Sequence, residues 1–134
     1  GMNGECVAVK KIFDTRQVDV VSSASEISIL MRVRHRRLVK MIGCGRVPDG
    51  NIFLVLEYMR GGKLSSLLQR SPSPSWSSRM QLLNDIAEGM RFLHQFPLIH
   101  RDLKSPNLLV DKHWNVKVPS PANIYGIFIC RICM

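Results

Sequence analysis

The spacing of apolar positions changes repeatedly along the chain, and each change marks an element. Residues 6–13 (Cys-Val-Ala-Val-Lys-Lys-Ile-Phe) are rich in β-branched side chains and predict a strand. Residues 14–25 are polar and run from a loop into the start of a helix. Ile27, Leu30 and Met31 then fall at i, i+3 and i+4, which predicts a helix over about 20–33. A strand is expected at 38–43, and a turn at 47–51, where Pro48, Asp49, Gly50 and Asn51 follow one another. The continuous apolar run at 52–59 fits a buried strand. Gly61 and Gly62 break the chain, and Leu64, Leu67 and Leu68 predict a short amphipathic helix over 63–69. A Ser-Pro linker at 71–75 leads into the clearest helix, 75–94. Along it Trp76, Met80, Leu83, Ile86, Ala87, Met90 and Leu93 recur at steps of three and four, and Pro97 closes it. Two short strands, 108–110 and 116–118, flank a turn at 111–115 and predict a hairpin.

Composition narrows the class. The chain has 134 residues, 46% of them apolar and 22% charged, the balance of one globular domain rather than a disordered segment. Its net charge of +9 describes a basic surface that attracts acidic ligands. The basic residues are scattered and carry no interleaved aromatic patch, so no nucleic-acid partner is expected. Cys6, Cys44, Cys130 and Cys133 are spaced in no disulfide framework, which fits a reduced, cytoplasmic setting. Cys130 and Cys133 form a C-x-x-C with no second pair, so no zinc site is expected. His113 sits in a turn with no partner set for a metal. No secretory leader and no apolar run of bilayer length is present.

The chemistry concentrates in His100-Arg101-Asp102-Leu103-Lys104-Ser105-Pro106-Asn107, a polar loop that opens onto Leu108-Leu109-Val110. It brings a carboxylate, an ammonium and a carboxamide close together, the set that phosphoryl transfer requires. The carboxylate orients an attacking hydroxyl and accepts its proton, the cation offsets charge on the moving group, and the amide oxygen can hold a metal ion. The order of residues resembles the catalytic loop of protein kinases, H-R-D-L-x-x-x-N, with every defined position filled. Val7-Ala8-Val9-Lys10 is similar to the V-A-I-K strand of the same family. The Lys-Ser-Pro stretch of the loop, and Lys10-Lys11 after the strand, look like the tyrosine-kinase-like group of serine/threonine kinases.

The resemblance implies roles, position by position. Asp102 would be the catalytic base, Lys104 would contact the transferred phosphate, and Asn107 would ligate magnesium. His100 and Arg101 would be structural. Lys10 would hold the α- and β-phosphates of ATP, paired with Glu26, with Lys11 as its exposed neighbour. Leu56 would be the gatekeeper, and Glu57 and Met59 would meet adenine through main-chain groups in a hinge. The implied fold is α+β, an incomplete two-lobe kinase-like fold. It has an antiparallel small-lobe sheet with one helix (about 4–59), the hinge, and the start of a helical large lobe (about 60–118). ATP, Mg2+ and a protein carrying a Ser or Thr hydroxyl are the implied cofactors and partner.

The chain also departs from the family. No glycine-rich G-x-G-x-x-G precedes Lys10. After Val118 the sequence reads Pro-Ser-Pro-Ala in place of D-F-G, and no Asp or Glu follows Asp111. The main magnesium ligand is therefore expected to be missing. Residues 119–134 read as an unrelated apolar, β-prone tail, first as translated non-coding sequence after a splice boundary or a misdrawn gene model and second as a membrane-leaning or partner-binding strand. The expected activity is that of a serine/threonine kinase by family, with little turnover in this chain alone. The alternative is a non-catalytic binding module. The stripe of the 75–94 helix is expected to face water, since its neighbours in the family are absent. The two Ser-Pro pairs at 71–74 read first as loop and second as acceptor sites for proline-directed kinases.

Overall fold

Alternating β-branched residues give the strand Cys6–Ile12 (β1) in the computed structural model, which describes residues 6–12, 27–70, 72–97, 99–119 and 127–133. The chain divides into two compact units, one of residues 1–33, 40–58 and 125–134, the other of 34–39 and 59–124.

In the first unit β1 pairs antiparallel with Ile52–Glu57 (β3), with Lys10 opposite Leu54 and Ala8 opposite Leu56. Met41–Arg46 (β2) pairs antiparallel with the other side of β3. The remaining side of β1 is taken by Ile127–Cys133 (β7), so the sheet order is β2-β3-β1-β7. The tail expected to be β-prone is thus a strand of this sheet. An irregularity between Val9 and Lys10 leaves Ile129 of β7 unmatched. The described part of the predicted helix (α1) covers 27–32. Val7, Ala8, Leu30, Val33, Met41, Leu54 and Leu56 are buried. Cys6 is disulfide-bonded, a correction to the reduced state expected from spacing, and Cys44 is free. Spacing along the chain does not register which strands lie side by side, and that geometry decides whether a bridge can close.

The second unit holds a three-stranded antiparallel sheet, Gly62–Lys63 (β4), Leu109–Val110 (β5) and Val116–Lys117 (β6), in the order β4-β5-β6. The β5–β6 hairpin is the one predicted from the sequence. β4 was not expected, because two glycines read as a break. Gly61 explains it: a Cβ there would lie 2.6 Å from the carbonyl oxygens of Val110 and Asp111, so only glycine lets the chain approach β5. Its N–H donates to the Val110 carbonyl at 2.8 Å. Leu64–Leu68 (α2) follows directly, and Trp76–Leu93 (α3) after the Ser-Pro linker. The Ser75 side chain caps α3 by accepting from the Ser78 N–H at 3.2 Å.

One further expectation is corrected. The apolar run at 38–43 does not form one strand. Leu38 and Val39 are buried, and Val39 donates to the Val118 carbonyl while Val118 donates to that of Arg37, so β2 starts only at Met41. In α3 the buried residues are Leu82, Asp85, Gly89 and Leu93. Trp76, Met80 and Leu83 of the apolar stripe are exposed by 75%, 49% and 56%, in line with a stripe that faces water. The inward face is thus partly polar and partly small, which hydrophobic periodicity alone does not reveal.

Candidate functional site

The loop after α3 is shaped by its own backbone. Arg101 has φ +64, a left-handed conformation uncommon outside glycine, which turns the chain sharply before Asp102. Ser105–Asn107 forms one 3-10 turn with proline near its start, and the Asn107 N–H donates to the Lys104 carbonyl at 2.9 Å. This turn folds the carboxamide back over the loop. Asn107 Nδ2 donates to Asp102 Oδ2 at 2.8 Å and to the Asp102 carbonyl at 3.0 Å. Lys104 Nζ lies 3.2 Å from Asp102 Oδ1. Both carboxylate oxygens therefore have a donor, and the carboxyl stands partly open to solvent.

The Lys104 ammonium, with Asn107 behind it, holds the Asp102 carboxyl below the usual carboxylate range, against a smaller opposing effect of burial. Such a group is ionised at neutral pH. It is a weak base, suited to orienting a hydroxyl and taking its proton late, when bond breaking has made that proton acidic.

His100 is buried, 3% exposed. Burial pushes its pKa below that of free imidazole. The Pro119 main chain and the Asp102 charge favour the charged ring and only partly offset this. A neutral ring filling space beneath the loop follows.

Asp85 and Glu88 were missed by sequence reasoning, although they organise this unit. Asp85 is fully buried in α3. It accepts from Gln81 Nε2 at 2.9 Å, from the Val116 N–H at 3.1 Å, and from Arg37 at 2.9 Å. It thereby ties α3 to the first residue of β6. Glu88 binds Arg37 at 3.0 Å and Arg36 at 2.8 Å. Those guanidinium groups, Arg37 foremost, lower its pKa. His35 stacks on Phe92 with ring centroids 4.4 Å apart. The available signal was a carboxylate at a core-facing position of a helix whose neighbours are apolar.

In the first unit Lys10 is 3% exposed, and burial brings its pKa from 10.5 down to about 8. Lys11, on the other face of β1, pairs with Asp49 at 2.6 Å and is only partly exposed. Leu56 is buried at 2%. Glu57 Oε1 accepts from the Lys40 N–H at 2.7 Å, and the Glu57 N–H donates to the Lys40 carbonyl at 3.0 Å, so this residue is tied to the start of β2. Glu26 lies outside the described residues. In the second unit Met59 is buried, and its carbonyl accepts from the Gly62 N–H at 3.1 Å.

Asn107 spends its nitrogen on Asp102, which leaves the amide oxygen for a cation. Magnesium wants near-octahedral oxygen ligation, anchored by one or two carboxylates. Both Asp102 oxygens are engaged. Among the described residues no group of three His, Cys, Asp or Glu side chains could hold a metal ion. These residues do not fit a resident magnesium ion.

A family profile, protein tyrosine and serine/threonine kinase, matches residues 2–122. The chain is 37% identical over 120 residues to a leaf rust 10 disease-resistance locus receptor-like protein kinase-like protein of Arabidopsis thaliana, covering 87% of this chain and 18% of that protein. It is 40% identical over 121 residues to a probable serine/threonine-protein kinase of Dictyostelium discoideum, covering 86% of this chain and 12% of that one. It is 38% identical over 124 residues to wall-associated receptor kinase-like 21 of Arabidopsis thaliana, covering 87% and 20%. The chain thus spans about a fifth or less of the length of these relatives.

Proposed function

Since this chain belongs to the protein tyrosine and serine/threonine kinase family, we propose that its loop serves transfer of the γ-phosphoryl group of ATP to a Ser or Thr hydroxyl of a protein. The observation that carries this reading is the ionised Asp102 carboxylate held between Lys104 and Asn107. Asp102 orients the acceptor hydroxyl and takes its proton. Lys104, 56% exposed at its side chain, can leave Asp102 for the transferred phosphoryl group and offset its charge. Lys10 receives the ATP phosphates, and an anion beside it would further favour its charged form. Main-chain groups of Glu57 and Met59 bind adenine. The lysine within Asp-Leu-Lys-Ser-Pro-Asn favours Ser and Thr over Tyr as acceptors.

Magnesium, which the family uses with ATP, finds no free carboxylate oxygen on Asp102, whose two oxygens are engaged by Lys104 and Asn107. We therefore propose slow turnover for this chain by itself. The setting we propose is cytoplasmic, where ATP is available. No helix among the described residues is long and apolar enough to cross a membrane. The oxidised Cys6 argues the other way, and thiol counting on protein isolated from cells under acid quench decides it.

The test is prolonged incubation of the purified chain with ATP and a protein acceptor, with transferred phosphate mapped by mass spectrometry. Transfer should be confined to Ser and Thr, and Asp102→Asn should lower it by roughly 10²–10⁴-fold. Transfer unchanged by Asp102→Asn would overturn the proposal. ATP binding with no transfer would favour the second reading, a binding module, for which the engagement of both Asp102 oxygens is the supporting observation.

A further inference from the structure

Between Glu57 and Asp85 the sequence contains no Asp or Glu, while Arg60, Lys63, Arg70 and Arg79 all lie there. Within this stretch Ser73 is followed by Pro74. Ser73 is exposed and belongs to no helix or strand, in the segment between α2 and α3. A residue before proline is kept out of the helical region by a clash with the proline ring, which favours an extended main chain at Ser73. Arg79 reaches back from α3 to donate Nε to the Pro74 carbonyl at 3.0 Å, which places a guanidinium beside the residue after Ser73. The first turn of α3 carries no acidic side chain that would repel an anion. Ser75 is a poorer candidate. Its hydroxyl is occupied with the Ser78 N–H and hydroxyl, and no proline follows it.

We propose that Ser73 is a phosphorylation site for a separate, proline-directed serine/threonine kinase. In that enzyme's cleft the Ser73 hydroxyl oxygen attacks the γ-phosphorus of ATP. The bond from that phosphorus to the β,γ-bridging oxygen breaks, ADP leaves, and the serine proton passes to the modifying enzyme's carboxylate. The product gains a group of about −1.5 to −2 charge at neutral pH, in a stretch whose charged side chains are all basic.

The test uses the intact 134-residue chain, a purified proline-directed kinase and ATP, with peptide mapping by tandem mass spectrometry. One phosphate at Ser73 is expected, absent from Ser73→Ala and reduced about tenfold or more in Pro74→Ala, the discrimination that loss of one pocket contact gives. Four results overturn the proposal: no incorporation, incorporation that persists in Ser73→Ala (as at Ser71), indifference to Pro74→Ala, or equal labelling with ATP and no added kinase.

Discussion

Lys10 shows how one side chain links stability to pH. Its ammonium is buried on β1, and its pKa is about 8 against 10.5 for a free lysine. Between those values the unfolded chain holds more protons than the folded one, so stability rises with pH across the window. Below about 8 both states are charged and the cost of burial is felt in full. Lys10→Met removes that cost. The variant's stability advantage in urea should therefore be largest below pH 8 and shrink towards pH 10.5. An advantage that grows with pH would contradict the assignment. Lys10 and Asp102 were both legible from sequence, because each sits in a motif of fixed spacing. That Asp102 is held between Lys104 and Asn107 was not legible, because it depends on the left-handed turn at Arg101 and the 3-10 turn behind it.

Among the elements, α3 carries the sharpest test of packing. A helical glycine exchanged for alanine usually gains stability, because the unfolded chain loses freedom. At Gly89 the sign should reverse. A Cβ there would lie 2.9 Å from the Arg37 carbonyl oxygen and 3.0 Å from Val118 Cγ2. Gly89→Ala should cost about 1–3 kcal/mol by overpacking, measured by denaturant unfolding. A gain would show that the 34–39 segment does not seat on α3 as described. The helix itself was read almost to the residue, since seven apolar positions fix its period. Its inward face was misread because Asp85, satisfied by Arg37, Gln81 and the Val116 N–H, counts as polar by type yet is buried by partnership.

For the molecule as a whole, exposed apolar surface and net charge act in opposition. Trp76, Met80 and Leu83 line one outward side of α3, and a patch of that kind drives association. The net charge of +9 opposes it by repulsion, which salt screens within about 8–10 Å at ordinary ionic strength. Self-association should therefore increase with salt. Replacing the three side chains with Gln should raise the monomer fraction in size-exclusion chromatography without lowering the melting midpoint; unchanged association would exonerate the patch. The α+β class and the element order were readable because they rest on local periods. The pairing of β7 with β1 was not, since strand neighbours far apart in sequence leave no periodic mark. That pairing turns the strand bearing Lys10 from a margin of the sheet into an interior strand, and amide hydrogen exchange would record the difference. In an antiparallel sheet successive amides of a strand point to opposite neighbours. With β7 in place every amide along β1 should exchange slowly. Deleting residues 127–134 should release alternate amides only, leaving those bonded to β3 protected, so that a two-residue rhythm in the exchange rates reports the tail's position.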